Sequence, residues 1–146
     1  VIMLSSEILF GSFNYFMGTD YAFKFNIKRT NDQYCLLARI YSFVNIWKYD
    51  ENSKVILLLD DKETISLRSI FKGLGGEWDD ANRAYYFDTS FILLPDDIVK
   101  LKNHNITDLR IQYMDGYYDK TIKNKKQSLI KDILTLIDNE YQKQIK

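Results

Sequence analysis

Apolar and polar residues alternate along much of the chain between residues 21 and 122. In residues 21–28, large apolar side chains take every second position, and Lys24, Asn26 and Lys28 share the other face. This period of two is typical of a strand that buries one face. A polar turn at 30–33 leads into a longer, mostly apolar segment at 34–47. The pattern predicts a hairpin whose second strand lies centrally in a sheet.

The same alternation of apolar and polar residues predicts two more hairpins and a long strand. Residues 54–59 and 64–67 flank a polar turn, and residues 106–113 and 117–122 flank the tight-turn signal Asp115-Gly116. Residues 83–94 predict another long strand. Because short turns join neighbouring strands, we expect a mostly antiparallel sheet.

The helices have a different signature. Pro95 followed by two acids predicts the first turn of a short helix over Pro95–Asn103. Apolar residues at spacings of three and four predict an amphipathic carboxy-terminal helix over 125–142.

The amino-terminal residues 1–20 are expected to form an irregular arm or an edge strand. We therefore expect a single α+β domain over 1–146, with a β-rich core at 21–122 that is possibly folded as a sandwich.

The order of these segments resembles a group of small β-rich bacterial domains of uncharacterised function, common in gut anaerobes. The resemblance covers about residues 28–122 and rests on these segments: Lys28–Tyr34, Val55–Asp61, Phe91–Leu101, Ile106–Ile111 and Asp115–Asp119. It implies the hairpins and a short helix before the strand that carries Arg110. It implies no activity, cofactor or site residues, and some such domains occur on exported proteins.

Charge and chain composition narrow the function classes. Twenty Lys and Arg balance twenty Asp and Glu, which disfavours a nucleic-acid partner because such proteins carry a positive excess. Residues 50–97 hold eleven acids against five bases, and residues 120–146 hold seven Lys against three acids. The segment Lys123–Lys126 is a candidate contact for phosphate or an anionic surface, although a solvated loop is the simpler interpretation.

The sequence leaves the compartment open. Cys35 is the single cysteine, so no internal disulfide forms, and its apolar neighbours predict a buried side chain. We expect no transmembrane segment. The protein is expected to be cytoplasmic or, if a signal ahead of Val1 has been removed, exported or located in the cell envelope.

Catalytic and metal-binding signatures are weak. His104, the single histidine, is expected to end a helix rather than to serve a catalytic triad. One His and one Cys offer too few soft ligands for zinc, so we expect no metal and no cofactor. Gly73–Gly76 lacks the spacing of a phosphate loop and predicts a flexible connection. The acids of Glu77–Asp80 in the same loop leave open a small hydrolase that uses carboxylates.

The aromatic content is the most suggestive feature, at 15% of residues. Aromatic side chains fill sheet cores, but they also form binding platforms on exposed sheet faces. Adjacent tyrosines on a strand must point to opposite faces, so one member of each pair faces outward. The candidate ligand-binding residues are Trp78, Tyr85, Tyr86, Tyr117 and Tyr118, with Trp47 and Tyr113 as further aromatics of the same kind.

These observations favour a non-enzymatic interaction module that recognises a protein or a glycan. The first alternative is the carboxylate-dependent hydrolase. The second is a cytosolic regulator or immunity-type inhibitor, whose acidic middle segment neutralises a basic partner.

Overall fold

The strands and helices are taken from a computed structural model that describes residues 2–4, 8–11, 22–42, 48–49, 53–68, 73–74, 77–81, 83–113 and 116–145. The strands are β1 (Ile2–Leu4), β2 (Ile8–Gly11), β3 (Ala22–Thr30), β4 (Gln33–Ser42), β5 (Lys48–Tyr49), β6 (Lys54–Leu59), β7 (Thr64–Arg68), β8 (Gly73–Leu74), β9 (Glu77–Asp79), β10 (Ala84–Leu93), β11 (Ile106–Tyr113) and β12 (Gly116–Thr121). The helices are α1 (Pro95–Asn103) and α2 (Leu129–Ile145).

The strands form two main antiparallel sheets. The first sheet has the order β1-β3-β4-β10-β9, and β2 pairs with the remaining part of the β3 edge. The second sheet has the order β12-β11-β6-β7, and a short third pair joins β5 to β8. The central position of β4, between β3 and β10, agrees with its apolar character on both faces.

One face of each main sheet is buried in a common core. In the first sheet, Ile27, Leu36 and Phe91 lie opposite one another in adjacent strands and are buried. Leu57 and Leu109 form the equivalent buried row of the second sheet. Both rows and the apolar sides of α1 and α2 belong to one cluster of buried residues. The expected α+β class with mostly antiparallel sheet is confirmed. We call the buried face of each sheet its inner face and the opposite one its outer face.

Local signals explain where these elements begin and end. The β3–β4 hairpin turns at Asn31, whose positive φ of 54° is well tolerated by asparagine. Helix α1 has the predicted bounds, and the Asp97 carboxylate accepts a hydrogen bond from the Leu94 N–H at 3.1 Å. Helix α2 begins at Leu129, later than predicted, because Asn124–Lys126 forms a separate 3-10 turn.

A network of ionic and aromatic side chains ties α2 to the rest of the fold. Arg29 lies on the inner face of β3 with 8% of its surface exposed. Its guanidinium donates to Asp138 Oδ1 at 2.7 Å and lies 3.7 Å from the centre of the Tyr141 ring. Asp138 also accepts the Tyr34 hydroxyl at 2.5 Å and pairs with the Lys102 ammonium of α1. One carboxylate thus joins β3, β4 and both helices.

Two sequence predictions need correction. Cys35 is half-buried rather than buried, because it lies on the outer face of β4, between the inner-face residues Tyr34 and Leu36. Residues 73–80 were expected to be a loop, but Gly73–Leu74 and Glu77–Asp79 are strands. The glycine-rich composition concealed the short alternating segment that pairs with β10.

Candidate functional site

Two of the predicted aromatic residues lie side by side at one end of the first sheet. Trp78 on β9 is opposite Tyr85 on β10 in the strand register. Their ring centres are 5.0 Å apart and the ring planes meet at 66°, which is a favourable edge-to-face arrangement. Trp78 nevertheless keeps 51% of its surface exposed. The pairing therefore holds the indole in place while leaving about half of it open to a ligand.

Tyr86 follows Tyr85 and points to the outer face of the first sheet. Its hydroxyl donates to Glu77 Oε2 at 2.7 Å, and this hydrogen bond raises the pKa of the Tyr86 phenol. The Arg39 guanidinium lies 4.1 Å from the centre of the Tyr86 ring. Arg39 also donates two hydrogen bonds to the Asp88 carboxylate, at 2.7 and 2.8 Å. Ring and guanidinium are thus stacked and fixed by a bidentate ion pair.

The second sheet carries the same arrangement on its outer face. Tyr117 is 60% exposed, and the Arg110 guanidinium lies 4.1 Å from the centre of its ring. Arg110 donates two hydrogen bonds to the Asp119 carboxylate, at 2.7 and 2.9 Å. These hydrogen bonds hold the pKa of the Asp119 carboxyl below its usual value.

We call these two sets the Tyr–Arg–Asp triads. In each, the tyrosine precedes the aspartate by two residues on one strand, and the arginine lies directly opposite the aspartate. All three side chains therefore share one face of the sheet. Neither Arg39 nor Arg110 was among the predicted ligand-binding residues. The repeated Tyr-x-Asp spacing, at 86–88 and 117–119, was the available signal.

The five predicted aromatic residues do not form one continuous platform. Trp78 and Tyr85 share one face of the β9–β10 ribbon, and Tyr86 lies on the other. Tyr117 is on the outer face of the second sheet, whereas Tyr118 packs against the core. The side chains of Trp47 and Tyr113 lie outside the described residues. The predicted aromatic residues that the structure describes therefore present three separate surfaces: Trp78 with Tyr85 on one face of the ribbon, Tyr86 on its other face, and Tyr117 on the second sheet.

The carboxylates of β9 and the following turn have structural partners. Glu77 accepts the Tyr86 hydroxyl, and Asp79 accepts the backbone N–H of Ala81 at 3.0 Å. Asp80 accepts a longer bond from Trp78 Nε1 at 3.4 Å. Glu77 and Asp80 are exposed. These carboxylates are the hydrogen-bond acceptors that order the ribbon and its turn.

A third set of side chains comes together at the end of β6. His104, which follows α1, places Nδ1 2.8 Å from Asp60 Oδ1 and Nε2 3.3 Å from Asp61 Oδ2. The backbone N–H of Asn105 donates to Asp60 Oδ2 at 3.2 Å. That hydrogen bond and the His104 contact lower the pKa of the Asp60 carboxyl. The ligand atoms of the three side chains lie within 4.8 Å of one another, a spacing that a metal ion could bridge.

From the sequence, these three residues were not predicted to lie together. Asp60-Asp61 was assigned to a turn and His104 to a helix end, and both assignments describe the backbone correctly. The two segments are 44 residues apart, and no local spacing connects them. The pairing of β6 with β11 brings them together.

Comparison with known protein families, curated proteins and solved structures gives no match to this chain. In the parts of the chain that the structure describes, no helix combines the length and apolar character needed to cross a membrane. The basic segment Lys123–Lys126, which was a candidate phosphate contact or a solvated loop, overlaps the 3-10 turn Asn124–Lys126 before α2, and no residue of that turn is buried.

Proposed function

We propose that this protein is a non-enzymatic interaction module that recognises a protein or a glycan through its exposed aromatic side chains. The observation that carries the proposal is the half-exposed indole of Trp78, held against Tyr85 at the β9–β10 ribbon. Tryptophan is enriched among the contact residues of protein interfaces, because it joins a large apolar surface to a polar N–H group.

The residue types support recognition rather than chemistry. Tryptophan, tyrosine and arginine dominate the binding free energy of known protein interfaces. Here Trp78 is ordered by a neighbouring ring, and the Tyr86 ring is ordered by the Arg39 guanidinium and by Glu77. Because these side chains are already ordered, a ligand loses little side-chain entropy on binding them.

The two alternatives have less support. The carboxylates at Glu77 and Asp80 are exposed and serve as hydrogen-bond acceptors for the ribbon. The acidic middle segment is partly neutralised within the fold, because Asp88 pairs with Arg39 and Glu63 pairs with Lys100. A surface that already satisfies its own charges attracts a basic partner less strongly.

The test is a comparison of Trp78→Ala and Tyr117→Ala with wild type, on a glycan array and in quantitative pull-downs. Leu136→Ala is the matched control, because Leu136 is a large exposed apolar residue on α2. We expect a ligand of the wild type to lose at least about tenfold in affinity when Trp78 is removed, since that is about 1.4 kcal/mol. A loss confined to Tyr117→Ala would place the ligand on the second sheet instead.

Two results would contradict the proposal. One is an absence of any reproducible ligand in both assays. The other is a ligand whose affinity for both aromatic variants equals its affinity for the wild type. Leu136→Ala should bind as the wild type does, which separates loss of a contact from general damage to the surface.

A further inference from the structure

Two connections of the fold bring three metal-ligating side chains together. Asp60 and Asp61 lie in the turn between β6 and β7, and His104 lies between α1 and β11. We call them the Asp60–Asp61–His104 cluster. One imidazole nitrogen and one oxygen of each carboxylate lie within 4.8 Å of one another.

The backbone holds both carboxylates in position. Asp60 Oδ2 accepts the Asn105 N–H at 3.2 Å, and Asp61 Oδ1 accepts the Glu63 N–H at 3.0 Å. Each carboxylate therefore uses one oxygen for a backbone contact and turns the other towards His104. Contacts of this kind orient the ligands in established metal sites.

The imidazole of His104 lies between the two carboxylates. Its Nδ1 contacts Asp60 Oδ1 at 2.8 Å, and its Nε2 contacts Asp61 Oδ2 at 3.3 Å. Ligands bound at about 2.1 Å are roughly 3.0–3.4 Å apart in octahedral or tetrahedral geometry. Because the two contacts use opposite nitrogens of one ring, an ion would bind only one of these nitrogens, and the imidazole would turn to let both carboxylates reach that ion.

Charge and donor chemistry select the class of ion. The two carboxylates bring two negative charges to the cluster, and the field of Lys131 reaches Asp60. An imidazole with two carboxylates suits zinc and similar transition metals better than calcium or magnesium, which favour oxygen ligands alone. In the same connection, Asn105 carries a buried side-chain oxygen with no hydrogen-bond partner among the described residues.

We propose that the Asp60–Asp61–His104 cluster is a binding site for a divalent transition-metal ion of the zinc type, with water completing its coordination. Histidine and cysteine alone are too few in this chain to hold zinc. In this cluster, the two aspartates supply the missing ligands. The site is independent of Trp78 and Tyr117, so its failure and that of the aromatic interface are separate results.

The first experiment is calorimetric titration of the untagged, chelator-treated protein with Zn²⁺. We expect one ion per chain, and at least tenfold weaker binding in His104→Gln and in Asp61→Asn. Asp96→Asn is the matched control, because it removes an exposed carboxylate at the start of α1. Mg²⁺ and Ca²⁺ should bind at least tenfold more weakly than Zn²⁺.

The second experiment uses the fact that the chain has one histidine. An NMR spectrum correlating imidazole protons with ring nitrogens then contains a single set of signals. Zn²⁺ should shift the signal of the coordinating nitrogen, with or without a change in stability. Unchanged imidazole signals at saturating Zn²⁺, or equal Zn²⁺ affinity in wild type and His104→Gln, would overturn the proposal.

Discussion

Asp138 is the residue through which the helices and the first hairpin are most directly coupled. Burial alone would raise the pKa of its carboxyl, but hydrogen bonds from Lys102 and Tyr34 outweigh that effect and lower it. The ionised carboxylate is therefore the acceptor on which the neighbouring groups depend. Its loss leaves the buried guanidinium of Arg29 with the longer ion pair to exposed Asp32, at 3.8 Å, in place of the contact at 2.7 Å.

Replacing Asp138 with Asn should destabilise the protein by about 2 kcal/mol. Removing one partner of a buried ion pair costs more than this, but Lys102 and Asp138 are partly exposed and solvent screens part of the loss. Urea unfolding measures the change. Glu140→Gln is the control on the same helix, because the ion pair of Glu140 among the described residues is with exposed Lys143. This variant should lose less than about 0.5 kcal/mol of stability. Equal stabilities for the two variants would contradict this role of Asp138.

The Tyr34 phenol should give the fold a dependence on alkaline pH. Burial and the hydrogen bond to Asp138 raise its pKa far above the usual value of 10.0. The unfolded chain releases this proton near pH 10 while the folded protein retains it. The stabilisation is therefore complete below pH 10 and is lost as pH rises above it.

Tyr34→Phe provides the measurement. The difference in unfolding free energy between wild type and variant should shrink between pH 10 and 11.5, by at most about 1.4 kcal/mol per pH unit. The other tyrosines ionise in both proteins and cancel in the comparison. A difference that stays constant over this range would show that the Tyr34 proton is not linked to folding.

At the scale of elements, β6 shows how a strand with a continuous apolar sequence can still bury a single face. Residues 55–59 are all apolar, but burial alternates along β6 because one face contacts the core and the other is the outer face of the second sheet. The consecutive leucines Leu57 and Leu58 therefore occupy different environments.

Leu57→Ala should destabilise the protein by about 3 kcal/mol, since the side chain is 1% exposed and its removal leaves a cavity. Leu58→Ala removes the same atoms from the half-buried outer face and should cost less than about 1 kcal/mol. Guanidinium unfolding of both variants tests the register. Similar costs at the two positions would mean that β6 is not buried on one face alone.

Local pattern predicted much of the fold and little of the candidate site. Alternation and capping gave the three hairpins and the bounds of α1, because these depend on neighbouring residues. The contact between Arg29 and Asp138 spans 109 residues. Such long-range contacts depend on how the sheets and helices pack, and no residue spacing along the chain predicts them. The Tyr–Arg–Asp triads were predictable in part. The Tyr-x-Asp spacing is visible along one strand, but the arginine opposite comes from another strand.

For the whole molecule, α2 completes a core that the two sheets do not close alone. Its buried residues are Ile130, Leu134, Ile137 and Tyr141, and the first three join the common core. The helix lies outside the β-rich segment at residues 21–122, yet its apolar face is continuous with the core of that segment.

A chain that ends at Ser128 should therefore fail to fold cooperatively. It exposes the core surface that α2 covers and loses the Asp138 network. A chain that ends at Gln142 keeps every buried residue of α2 and should lose less than about 1 kcal/mol. Thermal unfolding followed by near-ultraviolet circular dichroism distinguishes them. Cooperative unfolding of the shorter chain would show that the sheets are self-sufficient.

The half-buried position of Cys35 gives the protein a built-in reporter. It is the single cysteine of the chain, and on the outer face of the first sheet it lies between Lys28 and the partly exposed Ile92. A fluorophore attached through its thiol therefore labels one known position. A ligand that covers this sheet face will slow the labelling reaction, whereas a ligand held at Tyr117 will leave its rate unchanged.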